Sequence, residues 1–472
     1  YITGVLVAGI ACFFIFRLTA LHFSDRIILS PPDQRPVRRG EIRDSKGYVL
    51  AISVERESLY ANPERIDDPV GAAAKLSALL GMDRNDLAGL LGRKKRFVWI
   101  KRRMDPGQAR AVRALGIRGL SFRKEFQRQY PHGDLASNVT GFAGIDGRGL
   151  EGIEYKFDDI LRGKKWGGSN ADYDVVRGHH VRLTIDRFIQ RVAQREIRES
   201  VISTEARRGA AVVYEIKTGR LLAMAVYPGF DPNRYWEYDS ETRRNFTVVG
   251  AFEPGSTLKV PAAACLMESV PGILNNTYTC KGKIDIVEQT INCTDTHGQV
   301  DLKKIIMHSC NVGIIEAMKR VRKENLHDML HRFGFGNVTG IEMPGEASGI
   351  LREVKQWSGL SKYSISLGQE IGVTSVQMVA AFGAIANRGV YMVPTVIDSI
   401  ESDRGLVVQG FYPRTRGRVL DERIAGNLMV MMKAVVDGGT GKNARAGYYQ
   451  VAGKTGTAQK SMKKGGYYPD KY

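Results

Sequence analysis

Cysteine and histidine are scarce in this chain, with five cysteines and eight histidines among 472 residues. We find no cluster of these residues at a spacing typical of a metal site, so the sequence predicts neither a bound metal nor another cofactor. Acidic residues are also outnumbered, because 69 lysines and arginines face 50 aspartates and glutamates, for a net charge of +19. Such a charge favours a polyanionic partner, which would be nucleic acid if the chain were cytosolic.

One long apolar run stands at the beginning of the chain. Tyr1–Phe16 is apolar apart from Thr3, and a partly apolar run continues after Arg17 to Phe23. We predict a transmembrane signal anchor over residues 1–23, since no Ala-x-Ala-like cleavage site follows it. A buried core helix and a cleavable signal are the alternatives. With the rest of the chain outside the membrane, we expect attraction to anionic headgroups or wall polymers and no nucleic-acid partner.

The densest basic segment is Arg93–Arg103, in which Phe97 and Trp99 are interleaved with lysines and arginines. Basic residues alternating with aromatic rings can bind a single nucleic-acid strand. A solvated β-strand with basic flanks accounts for the same pattern, and we favour that interpretation.

Three of the cysteines raise alternatives. Cys280 and Cys293 flank a segment whose alternation predicts a hairpin, and in an oxidising compartment they could form a disulfide. The sequence gives no distance between them, so the pairing stays open. Cys310 could be a nucleophile, but no suitable histidine base accompanies it, which favours a packed thiol.

The stretch around Pro254-Gly255 places a hydroxyl and an amine close together. Pro254-Gly255 ends the preceding element, and Thr257–Val270 is mostly apolar, which predicts a helix. Ser256 and Lys259 are three residues apart, so they share one helix face. Free backbone N–H groups in the first turn favour an oxyanion beside Ser256. A desolvated Lys259 amine can be neutral near pH 7 and accept the serine proton.

The Ser-x-x-Lys pattern alone is weak evidence, because it occurs twice more, at Ser121/Lys124 and Ser461/Lys464. Two further triplets follow Ser256 in order and strengthen the prediction. The first is Ser309-Cys310-Asn311, and the second is Lys454-Thr455-Gly456, continued by Thr457. The ordered set predicts that three distant segments of the chain form one site.

Four other segments extend the pattern beyond the triplets. Arg39–Ala51 follows the signature Arg-Gly-x-Ile-x-Asp-Arg-x-Gly-x-x-Leu-Ala, with Ser45 where arginine is usual. The others are Tyr130-Pro131-His132-Gly133, Gly149–Glu154 and Gly368–Thr374. Together with the triplets, these segments resemble class B penicillin-binding proteins from about Arg38 to the last residue. Within that family, the chain resembles the septal, cell-division type more than the elongation type.

The resemblance implies an α+β fold, in which an antiparallel sheet flanked by helices follows an elongated mixed α/β pedestal and an N-terminal transmembrane helix. It predicts a non-catalytic, dimerisation-like pedestal over residues 24–185 and a C-terminally incomplete transpeptidase domain over residues 186–472. Local patterns add detail. Val70–Leu91 predicts helices with a break at Asp83/Asn85, and Asp186 predicts a helix N-cap. Lys217-Thr218-Gly219 predicts a hairpin turn, and Tyr448–Lys460 predicts a strand carrying the third triplet.

The resemblance also implies a chemistry, that of a D,D-transpeptidase cross-linking peptidoglycan stem peptides. Ser256 would attack the penultimate D-Ala, and the acyl-enzyme would pass to an amine of a second stem peptide. Lys259 would be the base for acylation, and Ser309 would relay a proton. β-Lactams would acylate Ser256. The remaining residues would bind the substrate amide or carboxylate: Asn311, Lys454, Thr455, Gly456 and Thr457.

By the same resemblance, the protein would be a single-pass protein of the cytoplasmic membrane with its catalytic domain on the outer face. Its partners would be a SEDS-type glycan polymerase and other divisome proteins. The alternatives are an elongation-type transpeptidase, a carboxypeptidase, a β-lactamase, and a membrane-anchored scaffold that activates a glycan polymerase.

Overall fold

The computed structural model describes residues 36–164 and 175–458 of the chain. Its strands, numbered β1 to β17 in chain order, are Val37–Arg38, Ile42–Arg43, Val49–Ala61, Val98–Met104, Leu120–Gln129, Val176–Arg177, His180–Leu183, Gly209–Tyr214, Leu221–Tyr227, Thr277–Cys280, Lys283–Ile286, Gln289–Asn292, Gly298–Asp301, Val390–Met392, Ile397–Glu401, Val407–Gly410 and Thr415–Arg418. Its α-helices, numbered α1 to α16, are Pro69–Leu80, Arg84–Leu91, Pro106–Ala114, Ser137–Thr140, Gly152–Lys156, Asp158–Leu161, Arg187–Ser203, Ser240–Arg243, Phe246–Val249, Lys259–Ser269, Leu302–Met307, Asn311–Met318, Lys323–Arg332, Ser361–Ser366, Ser375–Ala386 and Glu422–Gly438. Short 3-10 turns lie at Pro63–Arg65, Pro232–Glu237, Gly255–Leu258, Ile273–Asn275, Val354–Gln356 and Lys442–Ala444. The predicted α+β content is confirmed.

The predicted transmembrane anchor over residues 1–23 lies outside the described residues. Within residues 36–164 and 175–458, no helix combines the length and the apolar character needed to cross a bilayer.

A long strand, β3, organises the N-terminal part of the structure. It pairs antiparallel with β4, and it pairs with β5 from Ile52 opposite Gln129 to Ala61 opposite Leu120. Helices α1 and α2 pack on each other and contribute to the buried apolar cluster of this region. The side chain of Asp83 caps α2, so the predicted break between the two helices is confirmed.

One buried charge cluster joins three of the signature segments. It contains Arg39, Tyr130 and Glu154 from those segments, together with the nearby Arg128. The Glu154 carboxylate, which is fully buried, accepts hydrogen bonds from Arg39 Nε at 2.6 Å and from Arg128 Nε at 2.5 Å. The Tyr130 hydroxyl lies 3.2 Å from the same carboxylate. Burial opposes ionisation, but the charges of Arg128 and Arg39 prevail and lower the pKa of Glu154. These residues therefore tie together three segments of the N-terminal part of the structure.

The second half of the basic segment lies in β4. The Phe97 ring stacks on Tyr60 with centroids 4.8 Å apart, and Trp99 meets Phe97 edge-on at 4.9 Å. Because the rings pack on one another along a paired strand, this packing favours the interpretation as a solvated strand.

The large sheet crosses the predicted boundary at residue 185. Its strand order is β16-β15-β7-β2-β3-β4, with β5 also paired to β3. Strand β7 precedes the boundary, whereas β15, which pairs antiparallel with β7, follows it. The two parts are thus joined by backbone hydrogen bonds, and the exact division at 185 stays a prediction. The predicted N-cap is confirmed, since Asp186 accepts from the N–H groups of Phe188 and Ile189 at the start of α7.

The C-terminal part is built around helix α10. Strands β8 and β9 form the predicted hairpin, with Gly219 left-handed at its turn. Every residue from Lys259 to Leu266 is buried, and α10 packs against α12, α13 and α16. A helix that is apolar on most sides belongs in a protein core, so Lys259 begins a core helix.

Candidate active site

The predicted nucleophile lies on a tight turn at the entrance to the core. Ser256 is half-buried within the 3-10 turn Gly255–Leu258, and α10 follows directly at Lys259. The predicted helix after Pro254 is therefore confirmed, with its first turn wound more tightly than an α-helix. This position leaves backbone N–H groups near Ser256 free of helical partners.

Lys259 joins the first triplet to the second. Its side chain is 0% exposed, and its Nζ donates to the Ser309 carbonyl oxygen at 2.5 Å and to Asn311 Oδ1 at 2.6 Å. The Ser309 hydroxyl lies 3.1 Å from the same nitrogen. Burial, followed by the charge of Lys454, lowers the pKa of Lys259 to about 7. In the part of the chain that the structure describes, Lys259 Nζ has no hydrogen bond to the Ser256 hydroxyl.

An unusual backbone conformation presents the second triplet to Lys259. Ser309 lies between α11 and α12, with a left-handed φ of 57°. Left-handed residues other than glycine are uncommon and are held in place by their surroundings. This turn directs both the carbonyl and the hydroxyl of Ser309 to one amine. Asn311 begins α12, and its side-chain nitrogen donates to the Asn292 carbonyl at 2.7 Å.

The third triplet does not lie on a strand, and the prediction of a strand over Tyr448–Lys460 is wrong for its described residues. Residues 451–458 have no regular secondary structure. The Gly453 N–H donates a hydrogen bond to the Met432 carbonyl of α16 at 3.2 Å. The segment therefore contacts a helix and has no strand partner among the described residues. Lys454 Nζ donates to the Thr455 carbonyl, and burial lowers the pKa of Lys454 to about 8.

The third triplet nevertheless lies directly against the turn that holds Ser256. A Cβ atom placed on Gly255 would be 2.4 Å from the Thr457 carbonyl oxygen and 3.1 Å from its nitrogen. A Cβ atom on Gly456 would be 2.7 Å from the Pro254 carbonyl oxygen. Glycine at both positions allows the two backbones to touch. The structure therefore brings all three predicted triplets together.

The signature segment Gly368–Thr374 contacts the same turn through hydrogen bonds of its backbone. Gly255 N–H donates to the Gly368 carbonyl at 3.0 Å, and the Glu370 N–H donates to Glu253 Oε1 at 2.9 Å. A Cβ atom on Gly368 would lie 1.9 Å from the Gly255 carbonyl oxygen, so this contact also requires glycine.

Sequence reasoning missed one group of residues beside the second triplet. The structure brings Cys280, Cys293, His297 and Cys310 together, with their ligand atoms all within 4.8 Å of one another. The thiols of Cys280 and Cys293 are free and 3.7 Å apart, so the disulfide that the sequence left open is not formed here. The Cys310 thiol, together with N–H groups of α12, lowers the pKa of Cys293. The intervening strands, which the sequence could not align, bring these residues together.

Comparisons with known proteins agree with this architecture. Residues 209–472 match the family described as the penicillin binding protein transpeptidase domain, and residues 34–180 match the penicillin-binding protein dimerisation domain. The probable peptidoglycan D,D-transpeptidase PenA of Neisseria meningitidis is 33% identical over 447 residues, which cover 90% of this chain and 74% of that protein. The peptidoglycan D,D-transpeptidase FtsI of Escherichia coli is 28% identical over 486 residues, 97% of this chain and 80% of FtsI.

A solved structure matches over nearly the same extent. The crystal structure of penicillin binding protein 3 from Mycobacterium tuberculosis has a TM-score of 0.72 and 29% sequence identity, covering 92% of this chain and 85% of that one. Two domain matches, close relatives and a shared fold lead to one conclusion: the chain belongs to the class B penicillin-binding proteins, which are serine-type peptidoglycan D,D-transpeptidases.

Proposed function

We propose that Ser256 is the nucleophile of a D,D-transpeptidase that cross-links peptidoglycan stem peptides, with Lys259 as its base. The observation that carries this proposal is the convergence of three distant segments. Lys259 Nζ is bonded to both Ser309 and Asn311, and the backbone of Thr457 lies against the turn that holds Ser256.

In the first half-reaction, Ser256 Oγ attacks the carbonyl of the penultimate D-Ala while Lys259 takes its proton. A neutral amine is required, and burial beside Lys454 supplies it, since the pKa of Lys259 is about 7. Catalytic hydrogen bonds are often long in ligand-free enzymes and shorten when substrate binds, which accommodates the missing Lys259–Ser256 bond. The C–N bond then breaks, and Ser309 relays a proton from Lys259 to the departing amine of the terminal D-Ala.

In the second half-reaction, the amine of another stem peptide attacks the Ser256 ester. The new amide forms, and Ser256 recovers its proton as it leaves. Backbone N–H groups of Ser256 and Thr457 would form the oxyanion hole, in which each donor contributes about 3–4 kcal/mol in comparable sites. Asn311 would hold the donor peptide's amide. The terminal carboxylate would be bound by Lys454, Thr455, Gly456 and Thr457.

β-Lactams would acylate the same serine, because their strained amide presents the same carbonyl to the nucleophile. Structures of the related Mycobacterium tuberculosis protein complexed with aztreonam and with ampicillin support this expectation.

The cellular role that we favour is septal wall synthesis. The resemblance of the signature segments and the relationship to FtsI support it. A transmembrane anchor at residues 1–23 would place the protein in the cytoplasmic membrane, with the catalytic domain on the outer face. Residues 24–185 would then be a pedestal that docks a SEDS-type polymerase and other divisome proteins, below a transpeptidase domain beginning at residue 186.

Fluorescent penicillin tests the proposal directly. We expect full-length protein to keep the label over time and the Ser256→Ala variant to remain unlabelled. Ser121→Ala, which changes another Ser-x-x-Lys serine, is the matched control and should label normally. Loss of the label within minutes would indicate a β-lactamase, and its absence from the unmodified protein would favour a scaffold. Release of D-Ala without cross-linked product would identify a carboxypeptidase.

A further inference from the structure

A small β-excursion stands beside the second triplet. Strands β10 and β13 pair with each other, and strands β11 and β12 form a hairpin between them. This excursion carries three candidate metal ligands at its strand ends. Cys280 closes β10, Cys293 follows β12, and His297 precedes β13. The fourth ligand, Cys310, caps helix α12.

Three of the six distances among these ligand atoms match those of a tetrahedral zinc site, and all six are within 4.8 Å. With Zn–S bonds of about 2.3 Å, two sulfur ligands lie about 3.8 Å apart, and a sulfur and an imidazole nitrogen lie about 3.6 Å apart. The Cys293 sulfur lies 3.7 Å from Cys280 Sγ and 3.7 Å from Cys310 Sγ. His297 Nδ1 lies 3.6 Å from Cys280 Sγ.

The backbone around the sulfurs is arranged to support thiolates. Cys293 Sγ accepts hydrogen bonds from the N–H groups of Asn311 at 3.1 Å and Val312 at 3.3 Å. Cys310 Sγ accepts one from the Gly313 N–H at 3.2 Å. These donors lie at the start of α12, where N–H groups favour negative charge. Outer hydrogen bonds of this kind orient metal ligands.

A disulfide explains the arrangement less well. It requires two sulfurs about 2.05 Å apart, whereas Cys293 is equally distant from two partners. A disulfide between Cys280 and Cys293 would also not account for the Cys310 thiol and the His297 ring, which lie in the same cluster.

We propose that Cys280, Cys293, His297 and Cys310 bind a structural zinc ion. Three thiolates and one imidazole form a donor set that zinc prefers, and four protein ligands fill its tetrahedral shell. The ion would fasten the β-excursion to the start of α12. Because Cys310 lies between Ser309 and Asn311, the same ion would fix the two residues that bind Lys259 Nζ.

Metal analysis of the full-length protein is the first test. We expect about one zinc ion per chain after purification or after dialysis against zinc. Cobalt exchanged into the site should give the charge-transfer and d–d absorption of tetrahedral cobalt thiolate. Absence of zinc after dialysis, or peptide mapping of a Cys280–Cys293 disulfide in the native protein, would overturn the proposal.

Substitutions locate the ion. Cys293→Ser and His297→Ala should lose zinc, whereas Cys265→Ser, which alters a buried cysteine elsewhere in the core, should keep it. His297→Cys should restore binding, because it supplies a fourth thiolate. Undiminished zinc in Cys293→Ser would contradict the assignment. Ser256→Ala should bind zinc normally while failing to label with penicillin, so this proposal and the proposed nucleophile fail independently.

Discussion

Substituting alanine for Gly255 should separate the geometry of acylation from the stability of the fold. Gly255 has a φ of 56°, and a Cβ atom there would lie 2.4 Å from the Thr457 carbonyl oxygen, whereas ordinary contacts begin at 3.4 Å. The turn and the third triplet must therefore separate by about 1 Å. A displacement of this size can slow a positioned reaction about 10²-fold, and here it would move one of the two proposed oxyanion donors.

Alanine at Gly255 also strains the backbone, because the residue has a positive φ. The experiment therefore needs a control substitution that strains the backbone equally but displaces no neighbouring segment. Gly272 has a φ of 69° and no atom within 4 Å of the Cβ position. Alanine in a left-handed conformation costs about 1–2 kcal/mol at either site. Gly255→Ala and Gly272→Ala should both lower the unfolding temperature, but only the former should disturb Thr457.

The assay is the second-order rate constant for acylation by fluorescent penicillin, measured beside thermal unfolding of each variant. We expect Gly255→Ala to acylate about 10²-fold more slowly than the unmodified protein and Gly272→Ala to acylate at an unchanged rate. Acylation of Gly255→Ala at the original rate, in a folded protein, would refute the reasoning. Equal slowing in both variants would attribute the effect to general instability.

Three other outcomes follow from buried charges. Glu154→Gln should lower the free energy of unfolding by about 3–5 kcal/mol in urea, because the buried Arg128 loses its carboxylate partner and the buried Arg39 keeps only Asp158. The exposed Glu64→Gln should cost less than about 1 kcal/mol. Since folding lowers the pKa of Glu154, unfolding curves should show its contribution in full near neutral pH and its loss as the pH falls through that lowered value. The acylation rate should rise as Lys259 loses its proton near pH 7 and decline as Lys454 loses its charge near pH 8. In Lys454→Gln, the midpoint of the rise should move to higher pH, because the charge of Lys454 lowers the pKa of Lys259. A pH-independent rate would contradict Lys259 as the base.

The order of the triplets predicted that three distant segments meet, and the structure brings them together. For the first triplet, the local pattern also explains the position. An apolar segment after Pro254 must be a core helix, so Lys259 at its start is buried. Asp186 is an N-cap, as predicted, and Asp83 caps the helix that follows the predicted break. A cap depends only on neighbouring N–H groups, so a local pattern can indicate it. Local pattern was therefore enough for these helix starts.

The failures occurred where the answer depended on distant partners. A strand needs a neighbour to pair with, whereas residues 451–458 contact a helix and the turn that holds Ser256 in the described structure. The charge cluster around Glu154 joins segments more than a hundred residues apart, so its members could be recognised as signature residues but not as ion partners. The Cys/His cluster depends on the register of β10 with β13. The spacing of these cysteines and the histidine along the sequence is irregular, so it does not reveal that register.

The left-handed Ser309 connects the two proposals made here. Its conformation is unfavourable for a residue with a side chain, so the neighbouring structure must hold it. On one side, Ser309 offers its carbonyl and hydroxyl to Lys259; on the other, Cys310 and Cys293 anchor the start of α12 through N–H···S hydrogen bonds. Thiols alone make weak and adjustable contacts, whereas metal-bound thiolates fix direction and distance. A zinc ion at this position would hold Ser309 in its left-handed conformation. Removal of the ion should therefore slow acylation before it unfolds the protein, and added zinc should restore the rate.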